Sequence, residues 1–494
     1  MSCPQILKID PRDDVAVALH ALAKGERVDA GDGSITLAED IPPGHKFALH
    51  AVREGETIHK YGYLIGCARK DIPAGTWVHT HNLRTCLNQD STYAYDPEKS
   101  RPACSETFDT FEGFARASGA VGIRNEIWII PTVGCVNKIA QRIADSARCR
   151  LRGSVGGIYA FSHPYGCSQM GRDQDTTRAF LANLAKNGNA GGVLFVSLGC
   201  ENCGAGTFAP YLGEYDPARI RFLVCQEEDD EITAGVAAVD ALIETASHDV
   251  RTAQPLSRLV IGLNCGGSDG FSGISANPLL GCVCDRLTAQ GASAILAEVP
   301  EMFGAEQILM NRARSRAVFD DTVRLINDFK GYFRAHRQTV YENPSPGNHA
   351  GGITTLEEKS LGCIRKGGHA PVEGVLPYTG RACGGGLWLQ STPGNDLVSA
   401  SAQAAAGAVL IAFTTGRGTP FCAPVPTMKI ASNSALYTKK RHWMDFNAGA
   451  LLDGGGLEAH TRALYSHILE IASGKKVCAE DARDLAIFKD GVTL

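Results

Sequence analysis

Asn125-Glu126-Ile127-Trp128-Ile129-Ile130-Pro131-Thr132-Val133-Gly134-Cys135 is the stretch that decides the fold. Residues 127–130 are apolar without a break. The run is too short for a helix and lacks the alternation of a half-exposed strand, so it reads as a strand buried on both faces. Similar strand-length runs recur at 157–161, 193–196, 221–224, 259–263, 294–297, 387–389 and 409–413. Most are separated by segments of helical periodicity, such as 179–185, 235–243 and 317–329. Buried strands alternating with helices predict an α/β fold with a mostly parallel sheet covered on both faces. Ligands of such sheets bind beyond the carboxyl ends of the strands, so the turns that follow the strands become the places to search.

Upstream the pattern differs. Residues 1–87 read as a small β-rich domain, with strand-like pieces at 28–30, 34–37, 46–49 and 76–79 between turns such as Pro43-Gly44 and Ala74-Gly75. Within it, 13–22 is predicted as a helix. The polar stretch 88–112 is expected to be a linker. The remainder divides into a first α/β domain, 113–255, and a second, 256–494.

With 494 residues the chain exceeds one compact core, which supports several domains. A net charge of -5 and no long basic block argue against a nucleic-acid partner. No apolar run reaches the roughly 18 residues of a membrane span, and Met1-Ser2-Cys3-Pro4 lacks signal-peptide features. The expectation is a cytoplasmic protein without a membrane partner. In that setting the 17 cysteines are expected to be reduced and free to bind metal.

Four strand candidates end in cysteine after Gly or Asn: Cys135, Cys167, Cys200 and Cys265, at intervals of 32, 33 and 65 residues. One strand–helix unit is about 30 residues, so the spacing approximates one, one and two units. If the strands are neighbours, the thiols converge on one sheet edge, where they could hold iron or an iron–sulfur cluster. The alternative is that each cysteine is a small residue packed beside glycine. Cys200 and Cys203 form a CxxC, but no second CxxC completes a zinc ribbon.

His79 and His81 would share one face of a strand, as a metal or substrate pair or as a solvated strand end. His163, just before Cys167, is a candidate general base, or a structural histidine bonded to a loop carbonyl. The glycine-rich loop Cys265-Gly266-Gly267-Ser268-Asp269-Gly270-Phe271-Ser272-Gly273 could cradle an anion with its backbone amides. Loops ending at Asn348 and containing Arg417 are similar, and Arg417 could grip a carboxylate. Glu298, Glu301 and Glu306 follow the strand at 294–297 as possible bases, iron ligands or helix-start charges. Neither GxxxxGK[ST] nor GxGxxG is present, which disfavours a nucleotide-dependent oxidoreductase. A non-catalytic sugar-acid binder is a further alternative.

Across nearly its whole length the chain resembles the altronate/galactarate dehydratase family. The strings that carry this are Gly44-His45-Lys46-Phe47-Ala48-Leu49, His79-Thr80-His81-Asn82, the 125–137 segment, Tyr165-Gly166-Cys167-Ser168-Gln169, Gly199-Cys200-Glu201-Asn202, the 265–278 and 298–306 blocks, 343–348, and Gly416-Arg417-Gly418-Thr419-Pro420. The resemblance implies an N-terminal β-clip domain of the SAF type, a Rossmann-like region, a homodimer and an iron requirement. It also implies dehydration of a sugar acid, with D-altronate going to 2-dehydro-3-deoxy-D-gluconate. The His79/His81 pair favours altronate over galactarate. Galactarate, another acidic sugar or a sulfonated hydroxy acid is the alternative substrate. On this reading His163, His79, His81 and His45 are catalytic candidates. Gly266, Gly267, Ser268, Asp269, Asn348 and Arg417 are candidates for substrate binding, and Cys135, Cys167, Cys200 and Cys265 for the metal. Cys203, Cys282, Cys284 and Cys422 depart from the family pattern and receive no metal role.

Overall fold

A computed structural model describes residues 4–31, 33–87, 92–97, 108–340 and 343–490. Of the expected linker, residues 88–91 and 98–107 lie outside the described residues. The N-terminal part is built from short antiparallel strands, as a SAF domain requires. Ile6–Leu7, Val15–Ala18, Lys46–Ala48 and Trp77–Val78 form one sheet, and Thr57–Lys60, Tyr63–Ala68 and Leu83–Arg84 form another.

Two expectations are corrected here. Residues 13–22 are not a helix, because Val15–Ala18 is a strand buried on both faces. Val15 and Val17 pack in one apolar cluster while Ala16 and Ala18 pack in another, so the period is two and not 3.6. Cys67 and Cys86 are joined as a disulfide, so not every thiol is free.

The larger part contains two parallel sheets. Gly157–Ala160, Glu126–Pro131, Ala190–Ser197 and Ile220–Val224 lie side by side in that order. Ile127 and Ile129 face the helices Asn137–Ala147 and Glu231–Ser247, while Trp128 and Ile130 face Arg172–Ala185. The run 127–130 is therefore covered on both sides, as its composition demands.

The second sheet has seven strands in the order Val372–Leu376, Gly386–Gln390, Ser293–Leu296, Val260–Cys265, Leu410–Thr415, Thr427–Ala431 and Phe446–Asn447. All are parallel. Three of them, at 372–376, 427–431 and 446–447, lack a clear apolar run and were not expected. The chain leaves Val260–Cys265 toward Ser293–Leu296 on one side and later returns to Leu410–Thr415 on the other. The sheet therefore switches direction between Val260–Cys265 and Leu410–Thr415, and a crevice belongs at their carboxyl ends.

One apolar layer serves both sheets: Trp128, Phe180 and Phe195 of the first share a cluster with Ile295, Ala402 and Phe413 of the second. Among the described residues no helix is long and apolar enough to cross a membrane.

Candidate active site at the sheet switch point

A cavity of about 390 Å³ opens where the sheet changes direction, lined in part by Gly266, Gly267, Glu301, Asn348, Lys359 and Asp396. Each is put there by a local rule. Gly266 follows the strand Val260–Cys265 directly, and a β-carbon on it would lie 1.9 Å from Asp396 Oδ2, so only glycine admits that carboxylate. Gly267 has φ 58°, a left-handed conformation natural to glycine. Asp396 opens the helix Asp396–Ala405, whose first turn is capped by Asn395. Asn348 closes a capping box with Ser345 on the short helix Pro346–Ala350 and donates to Ser268 O at 2.9 Å. Burial, then Glu301, push the Asp396 carboxyl up to about 6.

Behind Glu301 lies a buried cluster of charge and sulfur. Cys265 and Cys363 thiols stand 3.1 Å from Glu301 Oε2 and 3.5 Å from each other. Lys359 Nζ meets Glu301 Oε1 at 2.7 Å. Lys366 Nζ donates to Cys265 Sγ at 2.7 Å and to Glu298 Oε2 at 3.2 Å. The hydrogen bond to Cys363, then burial, raise the Cys265 thiol well above the ordinary thiol range. Burial would raise Glu301, but Lys359 and Lys366 outweigh it and hold that carboxyl low. Burial and the nearby Glu301 raise Glu298.

Cys265, Glu301 and Cys363 are, among the described residues, the one group of three metal-type donors within 4.8 Å of one another. Two soft sulfurs and a carboxylate suit a transition metal such as iron or zinc. A second observation supports the fit. Glu298 Oε1 is buried without a hydrogen-bond partner, and its carboxyl is destabilised as an anion. A cation beside it would relieve both conditions.

The residues singled out from sequence fall into separate places. Cys265 lies in this cluster, but Cys135, Cys167 and Cys200 are exposed at the end of the other parallel sheet. The four thiols therefore do not share one edge. Regular spacing counts strand–helix units and is blind to the change of sheet between Ile220–Val224 and Val260–Cys265. The CxxC is also divided, since Cys203 is buried in the apolar layer while Cys200 is exposed.

His163 is 2 % exposed, and both ring nitrogens are occupied, with Pro131 O at 2.7 Å and Tyr165 N at 3.2 Å. Burial lowers it to about 4. That is the structural alternative weighed above, and it leaves no nitrogen for a substrate proton.

His79 and His81 are not on a strand. Trp77–Val78 ends just before them, because Asn82 Oδ1 takes the His79 N–H and folds the chain into a turn. His79 Nε2 bonds to His349 O at 3.0 Å, and His45 accepts from Trp77 Nε1 at 3.1 Å. None of the three lines the 390 Å³ cavity.

Half of the amides of the loop 266–273 are bonded to protein acceptors, so only part of the loop is open to an anion. Gly266 donates to Thr414 O, Asp269 to Ser272 Oγ and Gly270 to Gly351 O. Asp269 is a loop clamp, accepting from Ser272, Ser432 and Asn433. Ser268 is buried, its hydroxyl without a hydrogen-bond partner. Arg417 is exposed, lies over Gly267 and Gly347, and donates to Gly347 O at 3.4 Å, beside the cavity-lining Gly267 and Asn348 without lining the cavity itself.

Cys363, Lys359, Lys366 and Asp396 were not legible beforehand. Lys359 and Cys363 are four apart and so share a helix face, but a Glu-Glu-Lys run ordinarily marks a solvated surface.

Comparison with known proteins is consistent along the chain. Residues 4–86 match the altronate/galactarate dehydratase SAF domain. Residues 113–247 match the D-galactarate dehydratase/altronate hydrolase second domain, and 256–493 the D-galactarate/altronate dehydratase C-terminal model. The chain is 49% identical to the altronate dehydratase of Escherichia coli (strain K12) over 494 residues, covering 99% of this chain and 100% of that protein. It is 49% identical to the altronate dehydratase of Bacillus subtilis (strain 168), covering 99% of each. To the galactarate dehydratase (L-threo-forming) of Escherichia coli (strain K12) it is 31% identical, covering 98% of this chain and 96% of that protein.

Proposed function

The chain belongs to the altronate/galactarate dehydratase family, and we propose that it converts D-altronate to 2-dehydro-3-deoxy-D-gluconate and water. The observation that carries the substrate is the full-length likeness, 49% to two altronate dehydratases against 31% to a galactarate dehydratase.

The reaction removes the proton on C2 and the hydroxyl on C3, leaving an enol that becomes the 2-keto product. The C2 proton needs a base that is ionised at neutral pH yet not too weak. Asp396 meets both conditions and lines the cavity; it replaces His163 in that role. Arg417, next to the cavity-lining Gly267, is the group for the substrate carboxylate, which its planar guanidinium can grip bidentately. Asn348 and Gly267 shape the wall between them. Cys265, Glu301 and Cys363 would hold the iron that the family resemblance implies, which supplies a Lewis acid for the departing hydroxyl. Lys359 and Lys366 orient the Glu301 carboxylate and the Cys265 sulfur. A homodimer in the cytoplasm completes the proposal, on the same resemblance.

The test is an anaerobic assay of the purified, Fe²⁺-supplemented chain against D-altronate, galactarate and other hexonates, following 2-keto-3-deoxy product. Turnover of altronate above the rest is expected; turnover of galactarate alone, or of none, rejects the proposal. Light scattering of the same sample reads the oligomeric state.

A further inference from the structure

Three free thiols end three neighbouring strands of the four-stranded sheet. Cys135 follows Glu126–Pro131, Cys167 follows Gly157–Ala160 and Cys200 follows Ala190–Ser197, and these strands are adjacent. All three thiols are exposed, so core packing does not account for them. Strands about 4.8 Å apart put the three strand ends within roughly 10 Å along that edge, and the cysteines follow them by four, seven and three residues.

The turns are tied to one another. Gly134 N donates to Tyr165 O at 2.9 Å. Gly166, at φ 104°, lies so close to Thr132 that a β-carbon would meet its carbonyl oxygen at 1.9 Å. Thr132 Oγ1 donates to Glu201 at 2.7 Å, and the same carboxylate takes the N–H groups of Leu198 and Gly199. His163, bonded at both nitrogens, props the turn that carries Cys167.

An independent observation concerns the segment between Cys167 and Cys200. Gln169 Nε2, Gln174 Nε2, Thr177 Oγ1 and Arg178 Nε are buried without hydrogen-bond partners. Gln169 is 4% and Thr177 1% exposed. Few such groups survive in native proteins without a reason. Arg178 also reaches the carbonyl of Asn202, two residues beyond Cys200. Gln169, two residues from Cys167, and Arg178, bonded to the turn after Cys200, thus place unsatisfied donors at two of the three cysteine turns, where an acceptor-rich ligand would use them.

We propose that Cys135, Cys167 and Cys200 bind an iron–sulfur cluster, separate from the buried Cys265 site. A single ion with metal–sulfur bonds of about 2.3 Å needs donors no more than about 4.6 Å apart. Among the described residues only Cys265, Glu301 and Cys363 approach that closely, so the exposed trio suits a polynuclear centre. Binding is a ligand exchange: each protein thiol gives up its proton, its sulfur replaces one small thiolate on an iron of a preassembled cluster, and that thiolate leaves with the proton, with no net electron transfer. Three thiolates leave one position to a small oxygen or sulfur ligand.

The experiment transfers a preassembled cluster, formed on small thiols from iron and sulfide, to the full-length chain under anaerobic conditions. Bound iron and acid-labile sulfide are then measured. The wild-type chain is expected to retain sulfide, and Cys135→Ser, Cys167→Ser and Cys200→Ser each to lose it by at least about fivefold. Cys149→Ser and Cys383→Ser, which alter exposed thiols elsewhere, should retain it, and so should Cys265→Ser. Alkylation mapped by mass spectrometry gives a readout that needs no variant. Cys135, Cys167 and Cys200 should be at least about tenfold slower to react in the loaded chain than after chelation, while Cys149 and Cys383 are unchanged. No sulfide on the wild-type chain, or sulfide retained when all three cysteines are replaced, overturns the proposal. Altronate turnover is scored separately, so failure here leaves the dehydratase reading to its own test.

Discussion

Asp396 and Glu298 are neighbours of the same carboxylate, Glu301, and meet it differently. Asp396 stands at the cavity wall with its carboxyl pushed up to about 6, so it is mostly ionised at neutral pH. Replacing it with Asn should lower kcat by about 10²- to 10⁴-fold with a smaller change in KM. In the wild-type chain kcat should fall as pH drops below about 6, because the base is then protonated. An Asp396→Asn variant with wild-type turnover would remove it from the mechanism. Glu298 is wholly buried at φ 67°, an uncommon conformation for a residue with a β-carbon, of the kind proteins keep at functional sites. Its Oε2 accepts from Lys366, which also donates to Cys265 of the candidate metal donors. A divalent ion bound by Cys265 and Cys363 must displace their two thiol protons. The apparent affinity for Fe²⁺ or Zn²⁺ should therefore rise by at least about tenfold per pH unit while the raised Cys265 thiol remains protonated. Competition with a chromophoric chelator at several pH values measures that slope, and an affinity indifferent to pH would show that the thiols are not ligands.

At the scale of an element, the helix Leu356–Cys363 stands out because all eight of its residues are buried although three are charged. It serves two sides. Glu357 takes the Thr85 hydroxyl and the Cys86 N–H, and Glu358 sits between Lys46 and Lys60 of the N-terminal sheets at 2.8 Å from each. Lys359 and Cys363 point to the cavity and the metal donors. Burial would raise the Glu358 carboxyl, but Lys46 and Lys60 outweigh it and bring it down to about 2. A depressed carboxyl pKa stabilises the fold above its unfolded value of about 4.3, and that contribution is lost as pH falls toward 2. Glu358→Gln leaves two buried ammonium groups without their anion and should cost about 3–5 kcal/mol at neutral pH. Urea unfolding would show it, and a change within experimental error would mean that the lysines find other partners.

For the whole molecule, the C-terminal segment closes the assembly of the two parallel sheets. Arg483 pairs with Glu126 at 2.6 Å, Glu480 pairs with Arg124 at 2.6 Å, and Leu485 and Ile487 enter the apolar layer that both sheets share. Deleting residues 477–494 would strand Arg124 and Glu126 and uncover that layer. The truncated chain should unfold in more than one step, with the four-stranded sheet exchanging amide hydrogens first. A single cooperative transition in hydrogen-exchange mass spectrometry would contradict this.

Local apolar patterns made the α/β class, the buried strand at 127–130 and the β-rich N-terminus readable, because a strand covered on both faces must be apolar throughout. Motif strings made the family readable. The loops at Gly266 and Arg417 were legible as turns after strands, since a parallel sheet presents its turns at one end, whereas the loop at Asn348 follows a helix and was marked only by its Pro and Gly residues. Other features depended on the tertiary structure. Val15–Ala18 became a strand because two cores claim its alternate residues. Cys363, Lys359, Lys366 and Asp396 join the site from distant helices and loops, and no spacing between them encodes that meeting. Sequence spacing put Cys135, Cys167, Cys200 and Cys265 in one series, whereas the fold divides them between two sheets. Strand order and sheet membership are set by long-range packing, which a periodic pattern along one chain does not contain.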